Sequence, residues 1–217
     1  MLQPGDSATC TDSGALKNTC LALACSPRKN GNTSQLAAAA LEECRLAGCH
    51  TEFIQLTDYH FAPCRACGGC NTTGKCVIKD DARLLFDKIL SADRLILAAP
   101  IFSMGINAQA KALIDRSQQF WAAKYLLDQK VVDLRDRPAR EGIFLSCAGT
   151  NLPGVFDGAI RVVKYFFMIT EIKLVKALCY SKVDLKGEIL EHPKALAEVK
   201  EYGRQLAETI SRPAGKT

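Results

Sequence analysis

The sequence predicts an α/β domain built on a parallel β-sheet with helices covering both faces. Three observations predict it. Five short apolar runs alternate with longer amphipathic stretches, the pattern of successive βαβ units. Strands of such apolar character need cover on both sides, which a parallel sheet with crossover helices provides. No internal repeat, low-complexity tract or linker divides the 217 residues, a length that suits one domain with a sizeable core.

The elements follow in order. Residues 20–25 (CLALAC) form the first strand and lead into a loop containing Pro and Gly. Residues 32–47, rich in Ala, Leu and Glu, read as a helix. Residues 51–56 read as the second strand. Residues 57–79 are rich in Cys, Gly, Asn and Thr without a sustained apolar period, and form a long excursion of the kind that usually carries function. Asp80 and Asp81 stand where a helix N-cap is expected, before the periodic Leu84, Leu85, Ile89 and Leu90. Residues 94–99 (RLILAA) make the third strand, halted by Pro100. A helix is predicted from Asn107 to about Tyr125, a fourth strand over 142–147 and a helix over 154–168. A fifth strand follows over 173–178, and a last helix over 193–210 with Pro at its start. Residues 1–19 are polar and read as a flexible tail. That leaves 20–217 as a single domain with a cysteine-rich insertion at 57–79.

Charge and hydropathy exclude several classes. The net charge of +5 is mild, and no basic run marks a nucleic-acid surface. The densest basic stretch, 135–140, is broken by Asp136 and Pro138 and reads as a solvated loop. No apolar run reaches the roughly 18 residues that a membrane helix requires, and the first residues lack a secretory core. A cytoplasmic protein is expected, with neither nucleic acid nor membrane as a partner. Eleven cysteines, an odd count, argue against a complete disulfide framework.

The loop Ser26-Pro27-Arg28-Lys29-Asn30-Gly31-Asn32-Thr33-Ser34 lies between the first strand and the first helix. At that position, beyond the carboxyl end of a parallel strand, unpaired N–H groups of a helix N-terminus form an anion site. Hydroxyls from Ser26, Thr33 and Ser34, the Asn32 amide and the Arg28 charge suit a phosphate; an ordinary capped βα turn is the simpler alternative. Neither G-x-G-x-x-G nor G-x-x-x-x-G-K-S/T is present here.

These residues resemble the SPR-x-x-GNTS loop of the NADPH-dependent FMN reductase family, whose members are flavodoxin-like. Ala98-Ala99-Pro100-Ile101-Phe102 is similar to that family's second flavin loop, and Lys111-Ala112-Leu113-Ile114-Asp115-Arg116 to its K-x-x-I-D-R helix. The resemblance covers roughly residues 21–179. It implies a three-layer sandwich with a five-stranded parallel sheet in the order 2-1-3-4-5. It also implies FMN as cofactor, its phosphate held by Ser26, Arg28, Asn32, Thr33 and Ser34. Pro100, Ile101, Phe102, Ser103, Met104 and Gly105 would line the ring, with Cys147, Ala148 and Gly149 approaching from the other side. Cys25 stands where the family often has Gly, and Phe102 where it often has Tyr.

Cys64-x2-Cys67-x2-Cys70-x5-Cys76, with Gly68, Gly69 and Gly74 to bend the chain, is a second strong motif. Four closely spaced thiolates can wrap one iron–sulfur cluster. A structural zinc site usually pairs two knuckles across a longer gap, and a metal-free dithiol switch is the other alternative. The motif resembles that of iron–sulfur flavoproteins, a branch of the same family. That resemblance implies a [4Fe-4S] cluster on these four cysteines, near the FMN of a neighbouring subunit, and hence a homodimer or homotetramer.

The remaining residues carry plainer expectations. The scattered cysteines read as core, with Cys147 placed beside the flavin. Asp115 and Arg116 read as a structural ion pair or a subunit contact. The three histidines show no metal spacing, and residues 165–168 (YFFM) read as core packing. No hydrolase constellation can be assembled, and no side chain is needed as catalytic acid or base. The expectation is an FMN-dependent oxidoreductase or electron-transfer protein, with electrons entering from NAD(P)H or ferredoxin and relayed through the cluster. The alternatives are a cluster-free NAD(P)H:FMN or quinone reductase, and a non-catalytic flavin carrier or sensor.

Overall fold

The computed structural model describes residues 18–135 and 137–208. The expected tail, apart from Asn18 and Thr19, lies outside the described residues, as do Asp136, Cys10 and the predicted end of the last helix.

The main sheet contains β1 (Thr19–Ala24), β2 (His50–Gln55), β3 (Arg94–Ala98), β6 (Glu141–Ala148) and β7 (Lys173–Ser181). All neighbours pair in parallel, in the order β2-β1-β3-β6-β7. Counted within this sheet alone, that is 2-1-3-4-5, the flavodoxin-like order. A small antiparallel hairpin, β4 (Ile101–Phe102) with β5 (Gly105–Ile106), stands apart. The helices are α1 (Asn32–Leu46), α2 (Ala82–Ser91), α3 (Ala108–Asp115), α4 (Gln118–Trp121), α5 (Asp157–Ile169) and α6 (Ala195–Glu208).

Alternation inside the apolar strands divides the core into two layers. Leu21 and Leu23 of β1, Leu95 and Leu97 of β3 and Phe144 of β6 face one side, with Leu85, Ile89, Leu113 and Phe166. Cys20 and Ala22, Ile96 and Ala98, and Ile143 and Leu145 face the other, with Leu36, Ala40, Val199 and Leu206. Each large side chain so buried contributes about 1.5–3 kcal/mol.

On the second face α1 and α6 approach closely because both are small-residue helices where they cross. A Cβ at Gly203 would stand 2.5 Å from the Ala40 carbonyl oxygen and 3.0 Å from its Cα. Gly203→Ala is therefore expected to destabilise the fold by about 2 kcal/mol, overpacking outweighing the helix-propensity gain of about 1 kcal/mol. Urea denaturation checks this, and an unchanged midpoint would contradict it.

Several sequence expectations need correction. The predicted 107–125 helix is broken. The Arg116 and Ser117 N–H groups turn back to Leu113 and Ile114, and the Ser117 hydroxyl donates to the Ile114 carbonyl at 2.6 Å, competing with the helix ladder. A π-helical turn, Ala122–Leu126, closes the segment. β7 runs three residues past its predicted end, to Ser181. The hairpin was not anticipated, its two strands being too short for any periodicity.

The basic stretch 135–140 is not simply a solvated loop. The Arg140 guanidinium is buried and donates to the carbonyls of Ala92, Ile89 and Thr170. Burial lowers its pKa to about 10. Arg137 pairs with Asp93 at 2.8 Å and donates to Leu90 and Ser91 carbonyls. The two cations satisfy the open C-terminal carbonyls of α2 and complement its dipole. The 165–168 run also splits: Phe166 and Phe167 are core, whereas Tyr165 and Met168 are exposed. Among the described residues, no helix is long and apolar enough to cross a membrane.

Candidate functional site

The loop between β1 and α1 is rigidly held. Gln55 donates to the Ser26 carbonyl at 2.6 Å, the Arg28 N–H donates to Ser26 Oγ at 3.1 Å, and the Gly31 N–H donates to the Arg28 carbonyl at 3.0 Å. A Cβ at Gly31 would lie 3.0 Å from both the Arg28 carbonyl oxygen and Ser26 Oγ, so only glycine closes the loop this tightly. The first turn of α1 has neither a side-chain cap nor an acidic residue. Its N–H groups and partial positive charge are thus available to an anion. Thr33 Oγ1 is buried without a hydrogen-bond partner. An orphaned hydroxyl at an uncapped helix start fits a bound phosphate.

The polar side chains of this loop divide their roles. Arg28 Nη1 donates to the Asp184 carbonyl at 2.8 Å. The Asn32 carboxamide donates to the Leu185 carbonyl and accepts from the Gly187 N–H at 2.9 Å. Both brace the segment after β7 against the phosphate loop.

Three loops meet at the carboxyl ends of β1, β3 and β6. Ser26, Arg28, Asn32, Thr33, Pro100, Ile101, Phe102, Cys147 and Gly149 line one narrow cleft. Ser34 and Ala148 are buried and do not line it. Ser103, Met104 and Gly105 lie at the hairpin tip, outside the cleft. Ser103 and Met104 have φ of 49° and 65°, and they form the two-residue connection between paired Phe102 and Gly105. Positive φ at both positions matches the right-handed twist of a hairpin, at a cost for residues other than Gly or Asn. Phe102, which lines the cleft, and Met104, at the tip, are about half exposed, 47% each. Burial pushes the Cys147 thiol up to about 12, with Cys179 adding to the shift, so it is a neutral thiol at physiological pH.

Sequence reasoning missed Val183 and Asp184, which also line the cleft. The signal was the length of β7, which delivers them to the same edge as the phosphate loop. It also missed Asn107, whose Nδ2 donates to the Cys25 carbonyl at 2.7 Å and ties the first loop to α3.

All four motif cysteines line a separate cavity of about 430 Å³, which shares no residue with the cleft beside the 26–34 loop. Gly68 and Gly74, with φ of 70° and 69°, turn the chain around it. Cys64 and Cys67 are exposed, Cys70 and Cys76 half-buried. Burial raises the Cys70 pKa, and the thiols of Cys76, Cys64 and Cys67 add to the rise. The Gly69 N–H and then Arg65 hold that of Cys67 below the ordinary thiol value. Among the described residues, no three side chains converge tightly enough for a single metal ion. Thiols placed around a cavity fit a cubane, where each sulfur binds a different iron at a different corner.

The ends of the cysteine segment are tied to the fold. The buried Arg116 donates from Nη1 to the Ala62 carbonyl at 2.8 Å and from Nη2 to the Ile78 carbonyl at 3.3 Å. It also makes a two-pronged pair with Asp80, at 2.8 and 3.1 Å. Asp80 accepts from the Ala62 and Ala82 N–H groups, and Asp81 from that of His60. The expected capping of α2 is met by Asp80 alone, through the Ala82 N–H, while the Asp81 side chain makes no capping bond; both aspartates tie the residues before the cysteines to the start of α2. The expected Asp115–Arg116 pair is replaced by Lys111–Asp115 and Asp80–Arg116. The Cys76 N–H donates to Gln119 Oε1 at 3.0 Å, a bond that the break before α4 makes possible.

The family model described as NADPH-dependent FMN reductase matches residues 19–154, which include the phosphate loop, the hairpin and all four cysteines. The chain belongs to the NADPH-dependent FMN reductase family. Within it, the chain falls in the iron–sulfur flavoprotein branch. It is 30% identical over 199 residues to an iron–sulfur flavoprotein of Archaeoglobus fulgidus, covering 88% of this chain and 96% of that protein. It is 39% identical over 106 residues to an iron–sulfur flavoprotein of Methanosarcina thermophila, covering 49% of this chain and 56% of that protein. This chain thus spans about half the length of the Methanosarcina relative. Among solved structures, a flavone reductase superposes with a TM-score of 0.66 at 21% identity, over 88% of this chain and 62% of that one, a likeness of fold. Its fold is flavodoxin-like.

Proposed function

We propose that this protein passes electrons between a reduced donor, FMN and a [4Fe-4S] cluster held by Cys64, Cys67, Cys70 and Cys76. The observation that carries the reading is the pairing of two separate sites in one chain: an uncapped helix start with an orphaned Thr33 hydroxyl, and four thiols around one cavity. When bound, FMN supplies one- and two-electron redox chemistry and the cluster one-electron transfer.

The protein's own part is binding and enclosure. The N–H groups at the start of α1, with the hydroxyls of Ser26, Thr33 and Ser34, hold the FMN phosphate, and Arg28 adds positive charge. Pro100, Ile101, Phe102, Ser103, Met104 and Gly105 cover one side of the ring and exclude water. Cys147, Ala148 and Gly149 bound the other. No residue is asked to move a proton. The donor is NAD(P)H or ferredoxin. The two cavities share no residue, so a homodimer or homotetramer, apposing one subunit's cluster to its partner's flavin, completes the path. We place the protein in the cytoplasm.

The test is a visible spectrum with iron and acid-labile sulfide assays on protein purified without oxygen. Flavin bands, a broad shoulder and about four irons per chain are expected. Flavin bands without iron or sulfide, with rapid NAD(P)H oxidation, would replace this reading with a cluster-free reductase.

A further inference from the structure

Arg116 brackets the cysteine segment at both ends and uses both Nη atoms to do so. Its Nε is left over: buried, and without a hydrogen-bond partner among the described residues. The residue is 2% exposed and lines the cysteine cavity together with Cys76. A buried donor on a charged group is costly to leave unmade, and it persists where a ligand completes it. Asp80, in contrast, has both oxygens occupied, by the guanidinium and by two backbone N–H groups.

Hydrogen bonds to cluster sulfurs and nearby net charge are the protein's means of tuning a cluster. Resting on the cluster reading above, we propose that Arg116 and Asp80 form a tuning pair for the [4Fe-4S] centre. Arg116 Nε donates to a sulfur on the Cys76 side, and Asp80 limits how much of the guanidinium charge the cluster feels. The pair acts on the gain of one electron at the cluster from a reduced carrier such as ferredoxin. No bond is made or broken and no proton moves. The added electron is stabilised by the cation and opposed by the carboxylate. Arg116 is thus a positioning residue through its carbonyl contacts and an electrostatic one through Nε.

The experiment is a mediated reductive titration of anaerobic holoprotein, followed by absorbance and electron paramagnetic resonance, on wild type, Arg116→Gln and Asp80→Asn. Arg116→Gln removes the cation and Nε, and is expected to lower the cluster potential. Asp80→Asn removes the opposing charge and is expected to raise it. Each should change the reduced-to-oxidised ratio at fixed potential about tenfold, which is about 59 mV for one electron. A merely structural pair would loosen the cluster without shifts of opposite sign. Shifts in the same direction, or no shift in either variant, overturn the proposal. Should Arg116→Gln hold no cluster, the sign in Asp80→Asn decides, and an unchanged or lowered potential overturns it. Wild-type protein without iron or sulfide refutes the cluster reading itself, before any variant is compared.

Discussion

Cys70→Ala is expected to strip the protein of iron and acid-labile sulfide while leaving FMN bound. Cys70 is half-buried in a single 3-10 turn, Gly69–Asn71, and its thiol senses all three of the others. In the proposed cluster, its loss would leave one corner without a protein ligand, exposed to solvent beside the accessible Cys64 and Cys67. Iron should fall from about four per chain to background on aerobic handling. FMN occupancy should stay at wild-type level because the two cavities have no lining residue in common. Stability of the metal-free protein should change by less than about 0.5 kcal/mol, as Cys70 lies outside both core clusters. Iron and sulfide assays alongside flavin absorbance check this. Full iron retention would remove Cys70 from the ligand set.

Thr33→Val is expected to move stability and flavin affinity in opposite directions. Valine is close to threonine in volume and shape, so packing at this buried site is preserved. The lost hydroxyl has no partner in the protein alone, so removing it relieves a desolvation cost and should stabilise the apoprotein by about 1 kcal/mol. In the proposed FMN complex the same hydroxyl would donate to a dianionic phosphate. A hydrogen bond to a charged group contributes about 1.5–3 kcal/mol, so the FMN dissociation constant should rise about 10- to 100-fold. Fluorescence titration of apoprotein with FMN and urea denaturation of the same sample read the two effects. Unchanged affinity would take Thr33 out of the phosphate site, whatever happened to stability.

Much of the fold was legible because its signals are local. Each main-sheet strand is a continuous apolar run, and a chain that alternates such runs with amphipathic helices has few ways to cover both faces of a sheet. The Ser26–Ser34 loop and the spacing of Cys64, Cys67, Cys70 and Cys76 are equally local. Turn chemistry and ligand spacing survive in the one-dimensional text, so both candidate sites could be named from it.

What sequence left open depends on contacts between distant segments. Arg116 reads as half of an ion pair with Asp115 or as a subunit contact, yet the break at Ser117 turns it inward onto Asp80, Ala62 and Ile78, residues 36 to 54 positions away. Arg137 and Arg140 read as a solvated run, yet folding brings them to the exposed carbonyls at the end of α2. Asp184 reads as a loop residue, yet the length of β7 carries it to the cleft beside the 26–34 loop. Sequence by itself determined the sheet, the phosphate loop and the four-cysteine motif, because periodicity, turn residues and spacing act over a few residues. Only the tertiary structure decided where the buried cations point, because an uncompensated charge or open carbonyl finds its partner across the fold.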